Sequence, residues 1–208
     1  MKKENIIRSE HPYAPYIPKN ATKLIVGTIP PYRFCHNGQL LKKNDVRFYY
    51  GANKNHFWKL IEEISHKKFT FENTESAIEE RKYFLKERRI GITDIVQSCI
   101  HKDKKSDDRS LKKIQPKKLD KLLQEYPNID TLICTSTYVK QLLNTFFANR
   151  KYLAEQADPR TGTMVINDKE YNVIILYSPS PYALVGMGIG GKEKRKRQYE
   201  IVFTDNFR

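Results

Sequence analysis

The sequence predicts an α/β fold built on a four-stranded, mainly parallel central sheet covered on both faces by helices. Four short apolar runs, at 23–28, 92–100, 129–135 and 171–177, read as buried strands. Segments with helical apolar spacing alternate with them, as a parallel sheet requires. No internal repeat or long linker interrupts the 208 residues. The chain therefore reads as a single domain, 1–208, with an extended N-terminal arm over 1–20 and a basic C-terminal helix over 192–208.

Taken in order, the proline-rich stretch 11–18 reads as an extended arm lying on the surface. Leu-Ile-Val followed by Gly27 makes the first strand. A long loop over 29–54 leads to a helix beginning near Asn55, with Phe57, Leu60, Ile61 and Ile64 on one face. Ser76 with Glu79 forms a capping box for a charged helix that ends near Arg89. Gly91 stops that helix, and the second strand follows. The lysine- and aspartate-rich stretch 101–118 reads as a loop. Pro116 suits the first turn of a short helix burying Leu119, Leu122, Leu123 and Tyr126. After the third strand, Ser136 or Thr137 caps a helix whose apolar face is Val139, Leu142, Leu143 and Phe146. The fourth strand precedes a glycine-rich stretch, and Lys192 opens the terminal helix.

Hydrophobic residues at 39% and aromatics at 12% allow a packed core and argue against global disorder. A formal charge of +14 favours polyanionic partners, because phosphate binding releases counterions. A lysine-rich composition without any such partner is the plainer reading of the same number. Cys35, Cys99 and Cys134 are far apart and odd in number, which fits reduced thiols in a cytoplasmic protein. The first residues lack the apolar run of a signal peptide, and no segment approaches the roughly 20 apolar residues of a membrane span. His56 and His101 have no ligand-spaced partners, so no metal and no cofactor is expected.

The densest chemistry lies at 49–58, Tyr-Tyr-Gly-Ala-Asn-Lys-Asn-His-Phe-Trp, where Asn55 stands at a helix start between ring systems. Such a corner can clamp a flat heterocycle, a nucleobase above all. As a plainer role, asparagine is also a good helix cap. Ligands of parallel sheets gather at the carboxyl ends of strands. The first strand ends there in Gly27-Thr28-Ile29-Pro30-Pro31, and the fourth leads into Ser178-Pro179-Ser180-Pro181-Tyr182-Ala183-Leu184. Small hydroxyls between prolines offer rigid donors to a phosphate. Either segment alone is an ordinary strand-to-helix turn. No Gly-x-Gly-x-x-Gly follows the first strand, which counts against a Rossmann-type nucleotide enzyme.

The order Gly-x-x-Pro, Tyr-Tyr-Gly-x-x-x-Asn-x-Phe-Trp, Gly-Ile-x-Asp-Ile and Ser-Pro-Ser-Pro resembles the uracil-DNA glycosylase superfamily over about residues 23 to 190. The stretch 49–58 is most similar to the hypoxanthine-DNA glycosylase branch, which carries Tyr-Tyr-Gly-His-Pro-x-Asn-x-Phe-Trp and lacks an acid in the first motif. The resemblance implies a three-layer αβα sandwich. It also implies a monofunctional DNA glycosylase that hydrolyses the N-glycosidic bond of uracil or hypoxanthine in base-excision repair, acting on DNA containing the damaged base; a monomer is expected, though no residue pattern speaks to oligomeric state.

Gly27, Thr28 and Pro30 then fall on the water-activating loop, Asn55 on the catalytic asparagine, and 178–181 on the loop that pinches DNA phosphates. Departures from the pattern are Ile29 where an acid or asparagine is common, Ser178 where others carry histidine, and Ala52-Asn53 for His-Pro. Within this reading Phe48, Tyr49, Tyr50 and Phe57 are expected to contact the extruded base. Tyr182 or Leu184 fills the gap it leaves. Ser178, Pro179, Ser180, Pro181, Lys192, Lys194 and Arg195 face DNA, and the Lys102 to Lys105 stretch is a further phosphate contact. Each aromatic could equally be core. Asp94 reads as a loop anchor. A catalytically weak or inactive nucleic-acid-binding member of the same fold is the alternative, favoured by Ile29 and Ser178.

Overall fold

The computed structural model describes residues 8–36, 40–101, 108–147, 150–154 and 158–204. Its centre is a six-stranded sheet. The strands β2 (Lys23–Gly27), β3 (Ile90–Asp94), β6 (Thr131–Cys134) and β9 (Lys169–Ile175) run parallel in the order β3-β2-β6-β9. Two strands absent from the sequence reading, β7 (Arg150–Ala154) and β8 (Arg160–Ile166), extend the sheet antiparallel beyond β9. β8 and β9 form a hairpin closed at Ile166↔Lys169, with Asn167 at φ 48° and Asp168 at φ 60° in its two-residue loop. Positive φ at both positions is the primed turn that matches strand twist.

A second sheet joins β1 (Arg8–Glu10), β4 (Val96–His101) and β5 (Leu111–Pro116) antiparallel in the order β1-β4-β5. The expected single strand over 92–100 is thus two strands in different sheets. At the break, Ile95 N–H bonds to Gly27 O and Val96 N–H to Thr28 O, so the chain leaves the large sheet just past the end of β2. An unbroken apolar run hides that change of partner. The expected loop over 101–118 likewise contains β5, and Pro116 ends that strand rather than starting a helix.

Alternate residues of β2 serve opposite faces, as strand geometry demands. Ile25 joins a core with α1 (Phe57–Ser65), α2 (Glu75–Glu87) and α6 (Gly191–Phe203). Leu24 and Val26 join another with α3 (Leu119–Glu125) and α4 (Thr137–Phe146). The result is helix, sheet, helix. α2 is capped by Thr74, whose hydroxyl accepts from Ala77 N–H at 3.2 Å, so the expected Ser76–Glu79 box lies inside the helix. Ser136 caps α4, accepting from Val139 N–H, while Phe146 is left partly exposed. α6 carries its other charges outward and buries Arg195, Gln198, Tyr199, Val202 and Phe203, the spacing of one helix face. Among the described residues no helix is long and apolar enough to cross a membrane.

Candidate active site

The loop before α1 is held by a buried carboxylate. Asp45 takes hydrogen bonds from Arg33 Nε and Nη2, both 2.8 Å, from Lys42 N–H at 2.7 Å and from Asn53 N–H at 2.8 Å. Burial alone would raise its pKa, but these donors hold it below the usual carboxylate range. Gly51 sits where a Cβ would run into the carbonyls of Val46 and Phe48. Tyr50, just before it, is in the left-handed region at φ 56°, a strain that this anchored loop imposes.

The aromatics divide sharply. Phe48, Tyr49 and Phe57 are core residues, at most 6% exposed, and cannot lie against a ligand as expected. Tyr49 OH is tied to Ala14 O, and Trp58 Nε1 donates to Tyr49 O at 2.7 Å. Of the four, only Tyr50 is partly exposed. It stacks on Phe57 with centroids 4.4 Å apart. Its hydroxyl contacts Thr135 Oγ1 at 2.9 Å, and that hydroxyl reaches Val26 O, so a hydrogen-bonded chain runs from the ring to β2. Burial, and after it the charge of Asp94, push the Tyr50 phenol well above its ordinary value.

Asn55 is half-buried, immediately before the first turn of α1. Its Oδ1 accepts from Phe57 N–H at 2.8 Å, satisfying one of the donors that a helix start leaves open. Asn55 is thus not the N-cap, a position held by His56, but bonds the first N–H of the helix from the residue before it. A carbonyl oxygen has a second lone pair, so the same atom can also hold a water.

Gly27 ends β2 beside Asp94. A Cβ there would collide with Asp94 Oδ1 and with the Tyr50 hydroxyl, so only glycine admits both groups. Thr28 is nearly buried, and its hydroxyl donates to Asp108 Oδ2 at 3.0 Å. Ile29 packs on the apolar cluster of the α3–α4 face.

The loop after β9 is fastened to this corner. His56 N–H donates to Pro179 O at 3.0 Å. Arg195, 1% exposed, donates from Nη1 to Ser178 O and Ser180 O, each 3.2 Å, and from Nη2 to His56 Nδ1 at 2.7 Å. Guanidinium can only donate, so Nδ1 is the acceptor. Burial, then Arg195, Lys59 and Lys192, lower the His56 pKa and favour that neutral ring. Arg195 thus departs from the expected DNA-facing position. Its charge is turned inward to hold the loop. Ser178 Oγ accepts from Ser180 N–H, and the short helix α5 (Pro181–Val185) follows. On that helix Tyr182 is 83% exposed, Val185 also stands out and Leu184 is half-buried, while Ile189, just after it, is exposed. Lys192 and Lys194, at the start of α6, are exposed. The Lys102 to Lys105 stretch lies outside the described residues.

Two features escaped the sequence reading. The arm at 11–18 is not simply laid on the surface. His11 is buried and its Nε2 lies 2.9 Å from Asp94 Oδ2, while Lys117 Nζ is 3.1 Å from its Nδ1. Burial lowers the Lys117 pKa to about 8. A cavity of about 580 Å³ opens here between His11, Tyr13, Pro116 and Lys117, apart from the expected site residues. Asp108 is the other missed group, brought to the end of β2 from a stretch read as an ordinary charged loop.

Residues 14–201 match the uracil DNA glycosylase superfamily, and the chain belongs to that family. Its fold is similar to that of a candidate uracil DNA glycosylase from Methanosarcina acetivorans, solved by NMR in solution. The two share a TM-score of 0.56 at 17% sequence identity, over 95% of this chain and 97% of that one. No curated protein matches the chain.

Proposed function

We propose that this protein is a DNA glycosylase that hydrolyses the N-glycosidic bond of a deaminated base, uracil or hypoxanthine, in DNA. The observation that carries the reading is the joining of the Asn55 corner to the 178–181 loop through His56 and Arg195. A water-positioning amide and a surface suited to phosphates are thereby held as one unit. Bond cleavage develops positive charge on the sugar and negative charge on the base. The Asn55 carbonyl orients water toward the anomeric carbon, and the Tyr50 ring borders the base. Exposed Tyr182 enters the duplex where the base has left it, and the exposed Lys192 and Lys194 meet its phosphates. Amide positioning without a general base forgoes a factor of about 10²–10⁴, so easily departing bases are the expected substrates. The likeness of 49–58 to the hypoxanthine branch points the same way.

The test is incubation with duplex and single-stranded oligonucleotides bearing uracil or hypoxanthine, then alkaline cleavage of abasic sites. Strand breaks that vanish in Asn55→Ala support the reading. A nucleic-acid-binding member without catalysis is the second reading, favoured by Ile29 in the apolar cluster and by the bond between Asn55 Oδ1 and Phe57. DNA binding with no abasic product on any lesion would establish it.

A further inference from the structure

We propose that Asp108 supplies the carboxylate missing from the first motif and takes the proton of the attacking water. This inference rests on the glycosylase reading above. At the end of β2, the sequence Gly27-Thr28-Ile29-Pro30-Pro31 contains no acid, and Ile29 is engaged in apolar packing. Asn55 can orient a water but cannot accept its proton near neutral pH. A carboxylate nevertheless reaches this strand end from another part of the chain. Asp108 stands at the short turn Asp108–Ser110 ahead of β5, and Thr28 Oγ1 donates to its Oδ2 at 3.0 Å. That bond fixes the carboxylate against the first motif. The group is half-exposed, as a base that must meet water has to be. Its charge also contributes to raising the Tyr50 phenol pKa, which places it within electrostatic reach of the ring proposed to border the base.

Asp94 is the competing carboxylate, and its surroundings assign it a different task. It is 5% exposed, bonded to His11 Nε2 at 2.9 Å and packed against Gly27. A carboxylate so enclosed is a strut for the strand end.

In the step itself, the water oxygen bonds to the anomeric carbon as the N-glycosidic electron pair leaves with the base. The water proton passes to Asp108, and the departing base is protonated from Asp108 or from solvent. Water and nucleoside become free base and abasic sugar, with no further reactant.

The experiment is single-turnover base release from uracil- and hypoxanthine-containing duplexes, with DNA affinity measured in parallel and folding checked by thermal melting. Asp108→Asn is expected to slow release by about 10²–10³-fold at little-changed affinity. Added formate is expected to restore part of the rate lost in Asp108→Ala. Thr28→Val, which removes the Thr28 hydrogen bond but keeps the carboxylate, is expected to cost about tenfold. An Asp108→Asn variant as fast as wild type, or one slowed only as far as its DNA binding weakens, overturns the proposal and leaves the glycosylase reading standing. A wild-type protein that releases no base brings down both.

Discussion

Arg195 Nη2 lies 2.7 Å from His56 Nδ1, joining residues 139 positions apart. The same guanidinium holds the carbonyls of Ser178 and Ser180. One buried cation therefore sets the distance between the start of α1 and the loop that leaves β9. Arg195→Ala leaves three part-buried acceptors without their donor, and we expect a loss of about 1–3 kcal/mol in urea unfolding together with loss of base release. Arg195→Lys recovers little of either, because an ammonium cannot reproduce the planar fork.

Asn55 has two separable tasks. Asn55→Ala removes the acceptor for Phe57 N–H, with an expected cost of about 1 kcal/mol, and abolishes base release. Asn55→Asp keeps the acceptor, and its charge suits a helix N-terminus, so thermal stability returns to that of wild type. Its base-release rate, measured in the same preparation, then separates catalysis from helix stability, the new carboxylate being able to take the water proton that the amide cannot.

Gly27→Ala drives a methyl group into Asp94 and the Tyr50 hydroxyl. The expected outcome is a loss of about 1–3 kcal/mol, typical of overpacking, read from the melting temperature. Base release falls by a larger factor than stability, since the displaced groups border the site.

Lys192 and Lys194 are exposed where α6 begins, whereas Arg195 is not. Each lysine replaced by alanine should reduce the slope of log affinity against log salt by about 1, with melting unchanged. A nearly unchanged slope for both variants would exclude them from the phosphate contacts.

His101 is buried, with Nδ1 2.8 Å from Ser9 Oγ and Nε2 without a partner among the described residues. Burial, and secondarily His36, lower its pKa from 6.5 to about 4. The unfolded chain thus binds more protons between these values, and stability falls as pH drops through that window. The expected loss is about 3 kcal/mol at most, seen in urea titrations at pH 7 and pH 4.5. In His101→Gln the fall in stability over this range is smaller, leaving the shares of groups such as His56 and Asp45.

The parallel strands, the helices packed on them and the 49–58 corner were legible in the sequence because each is a local pattern of apolar spacing or unusual composition. The β8–β9 hairpin left a trace in Asn167-Asp168, a pair suited to positive φ, beside the alternating burial of β8. The split between β3 and β4 left none, since both halves are apolar and only their hydrogen-bond partners differ.

For the proposed site, residue type and order along the chain are what nominate Gly27, Asn55 and the 178–181 loop. Tertiary structure alone decided that Phe48, Tyr49 and Phe57 turn inward, that Arg195 is a clamp, and that Asp94 and Asp108 converge on the end of β2. The reason is physical. An aromatic ring or a charged side chain has the same local signature whether it faces water or the core, and its role follows from partners contributed by distant strands and loops.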